Sequence, residues 1–106
     1  MSDYDRRQYD AMLELLRNYD GSAIGLRQLI AGLEGLVRCL RDTGGTHRNA
    51  IWEKLGDLEQ VNAIMLDRGM DELDETGRMI VEKATNELVL MVDEAKGQRR
   101  SRDSLS

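Results

Sequence analysis

The chain contains no proline and no phenylalanine, and it has a single cysteine, a single histidine and a single tryptophan. Because aromatic residues make up only 4% of it, leucine, methionine, valine, isoleucine and alanine must fill any core. The β-branched and aromatic residues that favour strands are sparse, whereas leucine, methionine, glutamate and arginine favour helices. The lone Cys39 cannot form an internal disulfide, which indicates a reducing compartment.

Long apolar runs are also missing. No stretch approaches the roughly 18 uninterrupted apolar residues that a membrane span needs, so no membrane association is expected. The amino terminus, MSDYDRRQYD, has no apolar segment of the kind found in secretory signals. The sequence therefore predicts a soluble cytoplasmic protein, and 106 residues suffice for one domain with a modest core.

Nucleic-acid binding depends on clustered lysine and arginine, and it is not expected because the short basic end of this chain does not outweigh its acidic body. Residues 1–52 hold seven acidic and seven basic side chains, but residues 53–94 hold twelve acidic and only four basic ones. The last segment, 95–106, carries four basic side chains against one acidic. A surface as negative as that of residues 53–94 favours a basic partner or simply keeps the chain in solution, and it does not indicate catalysis.

Apolar spacing and capping signals predict an all-α fold. The expected helices cover about residues 5–19, 23–42, 47–68 and 74–96. Their short connections imply antiparallel neighbours, and hence an up-and-down four-helix bundle or a close variant. Residues 1–96 are expected to form this single helical domain, and the basic segment 97–106 a flexible, disordered tail.

Helix ends are predicted from residues that favour caps and turns. Gly21 and Gly69 are expected to end the first and third helices. Ser22 is the predicted cap of the second helix, and Asp71 or Asp74 that of the fourth.

Each predicted helix has one apolar stripe at the i, i+3, i+4, i+7 spacing of a buried face. The expected core residues are Tyr9, Met12, Leu13, Leu16, Leu26, Leu29, Ile30, Leu33, Leu36, Val37, Leu40, Ile51, Leu55, Leu58, Met65, Leu66, Ile80, Ala84, Leu88, Met91 and Ala95, with Trp52 at the margin. Gly25, Gly32 and Gly35 lie opposite the stripe of helix 2, where small side chains would let another backbone come close. Tolerated surface glycines are the alternative.

The run Leu88–Val92 is apolar all round, so that it is either central in the fold or in contact with another chain.

Residues that could catalyse a reaction or hold a metal are not combined in a usual arrangement. His47 has no second imidazole or thiol nearby, and Cys39, without a histidine or CxxC partner, is expected to be a small packing residue. Gly44-Gly45 lacks the following lysine of a phosphate-binding loop. We therefore expect no enzyme, no metal and no cofactor. A phosphotransfer bundle is a further hypothesis, but Arg48 and Asn49 follow His47 where that class has a lysine and a glycine.

The outward side of helix 3 carries the candidate binding site. Glu53, Asp57 and Gln60 share an arc about 60° wide, Ile64 falls inside it and Asp67 borders it. An aliphatic residue among exposed carboxylates is typical of an interface, where an apolar anchor is surrounded by a charged rim. Four acidic residues extend this surface around the turn between helices 3 and 4, namely Asp71, Glu72, Asp74 and Glu75. The alternative is a solvated acidic face with one isolated apolar residue.

Glu59 and Asn62 differ from these residues because both are expected to point toward the apolar side of helix 3. Buried polar groups need partners. The simplest account is a hydrogen bond between helices, to Tyr9, Tyr19 or an arginine of helix 2.

The spacing Trp52-x-x-Leu55-x-x-Leu58-Glu59-x-x-x-Ala63-x-x-Leu66-Asp67, after two helices and before a fourth, resembles that of small all-helical bacterial immunity proteins. These accompany polymorphic toxins, including contact-dependent-inhibition and Maf-type systems. The similarity covers about residues 26–92. It implies a non-catalytic protein that binds the C-terminal domain of a cognate toxin, often a basic nuclease. No interface residues are carried over, because such proteins use different surfaces.

Two functions of different class follow. The first is an immunity protein that neutralises a cognate toxin domain, expected to be basic, through the acidic surface of helices 3 and 4. The second is a self-associating scaffold or regulatory adaptor, in which a homodimer forms through the glycine side of helix 2 or the apolar run of helix 4.

Overall fold

Four α-helices form the regular structure of the computed structural model. It describes residues 3–41, 46–70 and 72–105 and, among these, the side chains of 3–41, 47–70 and 72–97. The helices are α1 (Asp3–Asn18), α2 (Ala23–Arg38), α3 (Thr46–Arg68) and α4 (Glu75–Leu105). The predicted all-α fold is confirmed, and each helix begins within two residues of its predicted start. Gly44-Gly45, in the connection between α2 and α3, lies outside the described residues.

The turn between α1 and α2 is built from local hydrogen bonds. Gly21 has a φ of +83°, a left-handed conformation that glycine adopts without strain. The Ser22 hydroxyl then accepts a hydrogen bond from the backbone N–H of Gly25 at 2.8 Å, so that Ser22 caps α2 as predicted.

The turn between α3 and α4 likewise combines a glycine of positive φ with a side-chain cap. Gly69 has a φ of +65° and ends α3. The Asp74 carboxylate accepts a hydrogen bond from the backbone N–H of Gly77 at 2.7 Å and so satisfies a donor in the first turn of α4. The predicted cap at Asp74 is confirmed, whereas Asp71 lies outside the described residues.

The helices form a closed bundle. Each packs on two others in the cyclic order α1, α2, α3, α4, and over the part of the chain that the structure describes the backbones of diagonal helices do not come close. The four interfaces are marked in turn by the contacts Asp5–Arg41, Arg27–Asn62, Lys54–Glu87 and Asp10–Lys96. Asp5 in the first turn of α1 meets Arg41, just after α2 ends, Arg27 early in α2 meets Asn62 late in α3, and only six residues connect α3 to α4. All neighbours are therefore antiparallel, which is the predicted up-and-down topology.

Aliphatic side chains fill the interior, as the composition predicts. The largest fully buried ones are Met12, Leu26, Leu33, Val37, Ile51, Leu55, Leu58, Leu88 and Val92. The predicted stripes of α1 and α2 are confirmed, with Leu36 only partly buried. Trp52 lies at the margin as predicted, and Met91 is partly buried against the core.

The predicted core positions Leu66 and Ile80 are wrong, since these side chains are 55% and 43% exposed. Val61 and Val81 are buried in addition to the predicted residues. Helix α3 packs more extensively on α4 than on α2. The edge of the buried face of α3 that carries Val61 faces α4 and is therefore covered. The opposite edge, which carries Leu66, faces α2 and remains exposed.

The glycines of α2 have different roles. A Cβ atom on Gly32 would lie 2.7 Å from Cδ1 of Leu15, so that this glycine makes room for a side chain of α1 rather than for a backbone. A Cβ atom on Gly35 would meet nothing within 4 Å. The approach of another backbone is therefore not found at Gly32, where a side chain comes close instead, and the surface alternative holds at Gly35.

The apolar run of α4 is divided, since Leu88 and Val92 are buried while Leu90 is 68% exposed. The helix itself extends from Glu75 to Leu105.

Candidate protein-binding surface

The outward face of α3 presents the predicted site residues together. Glu53, Asp57, Gln60, Ile64 and Asp67 are all exposed, and they alternate with the buried residues of the same helix. Ile64 is 44% exposed, so that an aliphatic side chain lies among the carboxylates of this face. The structure therefore brings the α3 part of the predicted surface onto one side of the bundle.

Asp57 also takes part in an ion pair at the α3–α4 interface. The Lys54 ammonium lies 3.4 Å from Asp57 Oδ2 and pairs more closely with Glu87 of α4. The hydrogen bond to Glu87, followed by that to Asp57, raises the pKa of Lys54, while the same ammonium lowers the pKa of Glu87. One cation thus holds two carboxylates and links α3 to α4, which leaves Asp57 less available to a partner than Glu53.

The turn between α3 and α4 continues the acidic surface. Glu72, Asp74 and Glu75 are exposed. The side chain of Asp74 already accepts the hydrogen bond that caps α4, so that it has a structural role. Asp71, the remaining predicted residue of this group, lies outside the described residues.

A groove opens between α3 and α4 beside this turn. Its volume is about 320 Å³. The lining residues are Val61, Ile64, Met65, Arg68, Met70, Asp74, Thr76, Gly77 and Ile80. Val61, Met65 and Gly77 are buried, while Ile64 and Ile80 are partly exposed isoleucines on facing helices. This site is an apolar recess within an acidic surface.

Sequence reasoning found Ile64 but missed Ile80, because Ile80 fits the stripe of Ala84, Leu88 and Ala95. A second set with similar spacing, Val81, Ala84, Leu88, Val92 and Ala95, is the one that α4 buries. The presence of Val81 in that set was the signal that could have placed Ile80 at the surface.

Exposed apolar side chains are concentrated at the same end of the bundle. Among the side chains that the structure describes, the exposed large hydrophobic residues are Ile24, Ile64, Leu66, Met79, Ile80 and Leu90. All but Leu90 lie within roughly one and a half helical turns of the α1–α2 or α3–α4 turn. In an antiparallel bundle these two turns share one end, so that these five exposed apolar side chains lie at the same end of the molecule.

The predictions for Glu59 and Asn62 have different outcomes. Asn62 is half-buried, and its Oδ1 accepts a hydrogen bond from Nε of Arg27 at 3.3 Å, which confirms a bond to an arginine of helix 2. Glu59 is exposed rather than turned toward the core, because it lies at the α2-facing margin of α3. There a hydrogen bond to Glu34, followed by desolvation, raises the pKa of Glu59.

His47 and Cys39, the two side chains considered for chemistry, lie at the start of α3 and directly after α2. Among the described residues, no group of three or more histidine, cysteine, aspartate or glutamate side chains could hold a metal ion. His47 is half-buried in the first turn of α3. Cys39 is exposed, so that its predicted packing role is wrong. Its hydrogen bond to Tyr4 is the main cause that raises the pKa of the phenol.

Comparisons with protein-family models, with curated proteins and with solved structures found no match. Within the described ranges, none of the helices has a segment both long and apolar enough to span a bilayer.

Proposed function

We propose that this chain is a non-catalytic protein-binding protein, an immunity protein that neutralises a basic toxin domain through the acidic surface of α3 and the α3–α4 turn. The observation that supports this proposal is the exposure of Ile64 among Glu53, Asp57 and Asp67 on one face. An apolar anchor with a charged rim is the usual form of an interface. The lone Cys39 fits action in the cytoplasm, where thiols stay reduced.

The charge of this surface suits a nuclease as the target. Such a toxin must bind phosphates through lysine and arginine, so that a negative protein can occupy the same surface and exclude the substrate. Complementary charge also speeds association, toward about 10⁸ M⁻¹s⁻¹ at low salt. Rapid capture matters for a protein that must block a toxin before it acts.

The test is binding to the product of the neighbouring open reading frame, measured by calorimetry and stopped-flow at several salt concentrations. Glu53→Lys should weaken binding roughly tenfold, mainly through slower association, and should reduce the salt dependence. Glu14→Lys is the matched control, because Glu14 is an exposed glutamate of α1, the helix diagonal to α3. Equal losses in the two variants, or affinity that does not change with salt, would count against this surface.

Self-association through α4 is the second candidate. Met79 and Leu90 are 66% and 68% exposed on this helix. The glycine side of α2 is less suited, because Leu15 of α1 already fills the space beside Gly32. Sedimentation velocity over a hundredfold range of concentration tests this function. A dimer that Leu90→Glu dissociates would support it, and a monomer throughout would reject it.

A further inference from the structure

We propose that the groove between α3 and α4 binds one aliphatic side chain of a partner segment whose neighbouring residues are lysine or arginine. This inference rests on the proposed function and specifies how that surface recognises its partner. It adds Ile80 and Met70 to the interface, which the face of α3 alone does not include.

The shape of the groove fits a side chain. Its floor is formed by Val61, Met65 and Gly77, and the isoleucines at 64 and 80 stand on either side. Gly77 permits this arrangement, since a Cβ atom there would lie 3.0 Å from Asp74 Oδ1 and 3.5 Å from Val61 Cγ1. A volume of about 320 Å³ is near the lower end of ligand pockets, enough for one large side chain.

The lining favours an apolar occupant. Ile64 and Ile80 are 44% and 43% exposed, so that each leaves a large part of its surface in water. A leucine or similar side chain between them would remove apolar area on both helices from solvent. The polar side chains of the lining, Arg68, Asp74 and Thr76, lie near the turn, where they can contact the backbone of a bound segment.

The negative charge around the groove determines which residues can flank the bound side chain in the partner segment. Asp74 and Arg68 line the groove, and the exposed Asp67, Glu72 and Glu75 each lie within two residues of a lining residue along the chain. Arg78 of α4 lies on the far side of that helix, where it lines a cleft with Tyr19 of α1. A segment with lysine or arginine on both sides of its apolar residue is therefore complementary to the rim.

The same negative charge disfavours a second copy of this chain as the occupant of the groove. A symmetric dimer places the same patch of both chains face to face. Here that contact would bring the carboxylates of one turn against those of the other, and like charges at an interface are unfavourable. The basic partner is thus the occupant that the surface fits.

The experiment uses the five isoleucines as reporters, at positions 24, 30, 51, 64 and 80. Their δ1-methyl groups are labelled with ¹³C, and the protein is titrated with three capped pentapeptides. The first has leucine between two pairs of lysines, the second has alanine in place of leucine, and the third has glutamate in place of every lysine.

The expected result is that the leucine peptide shifts the methyl signals of Ile64 and Ile80. The signal of Ile24, an exposed isoleucine of α2 outside the groove, should stay in place. The alanine peptide should bind about tenfold more weakly, in line with the loss of a few buried apolar groups. The glutamate peptide should not bind.

Four outcomes overturn the inference. They are the absence of shifts, equal shifts at Ile24, binding of the glutamate peptide, and concentration-dependent shifts at Ile64 and Ile80 without peptide. The last would mean that a second copy fills the groove. A fifth, equal affinity for the leucine and alanine peptides, rejects the groove but leaves the acidic surface and the proposed function standing.

Discussion

The Asp5 carboxylate of α1 accepts a hydrogen bond from the backbone N–H of Arg41 at 2.9 Å, although the two residues are 36 positions apart. Asp5 is only 2% exposed and is the one buried charged side chain of the described residues. The guanidinium of Arg41 in turn lies 4.2 Å from the centre of the Tyr4 ring. These contacts fasten the beginning of α1 to the segment that follows α2.

We expect Asp5→Ala to lower the free energy of unfolding by about 1–3 kcal/mol, because it leaves a backbone donor without its acceptor. Asp3→Ala is the control, since Asp3 is exposed in the same first turn of α1. That change removes only the favourable charge at the helix start, worth about 0.3–1 kcal/mol. Urea unfolding of both variants gives the comparison, and similar losses would contradict the role assigned to the Asp5–Arg41 bond.

The glycines of α2 should respond differently to alanine. Gly35→Ala is expected to raise the stability by up to about 1 kcal/mol, since alanine favours the helix and its methyl group meets open space. Gly32→Ala should gain less, because Leu15 must move to accommodate the new methyl group. Thermal and urea unfolding measure both effects. A gain at Gly32 as large as that at Gly35 would show that the contact with Leu15 is not tight.

The ion pair between Lys54 and Glu87 predicts a loss of stability in acid. The folded chain holds the pKa of Glu87 below its ordinary value of 4.5. The unfolded chain therefore binds more protons as the pH falls through and below 4.5, so that the contribution of the pair is present above this pH and lost below it. Glu87→Gln should flatten this part of the stability curve. In a Lys54→Met background the same change should have little effect, and an undiminished effect there would exclude Lys54 as the cause.

Glu59 predicts the opposite dependence on pH. Its pKa is raised above 4.5 in the folded chain by Glu34, so that its contribution is most favourable below that pH and is lost as the pH rises through the raised value. Glu59→Gln should therefore stabilise the protein at pH 7 and have little effect near pH 4. Unfolding curves at the two pH values test this, and destabilisation at pH 7 would contradict it.

Substitutions at two exposed aliphatic residues of α3 test binding without disturbing the fold. Ile64→Asp should weaken binding of the basic partner at least tenfold, as expected when an apolar anchor is lost. Leu66→Asp should have little effect on binding, since Leu66 lies on the margin of α3 that faces α2, away from the groove. Neither change should unfold the protein, because both side chains are about half exposed. Calorimetry compares the affinities of the two variants for the basic partner, and circular dichroism checks that both variants are folded.

Much of the candidate surface could be read from the sequence, because outward positions on one helix depend only on that helix. Glu53, Gln60 and Ile64 are exposed together as their spacing requires. The groove could not be predicted in the same way. It depends on Ile80, which the spacing of α4 assigned to the core, and on Met70 in the turn after α3.

The sequence by itself determined the number of helices, where they begin and their antiparallel order. These follow from local physics, since apolar spacing marks the buried side and residues such as Ser22, Gly69 and Asp74 satisfy or end the backbone hydrogen bonds of single helices. The tertiary structure alone decided which margin of each apolar stripe is covered. A margin is buried only where a neighbouring helix reaches it, so that Val61 lies inside and Leu66 outside although both border the stripe of α3. The hydrogen bond from Arg41 to Asp5 and the recess between Ile64 and Ile80 exist for the same reason, because both arise where two helices meet.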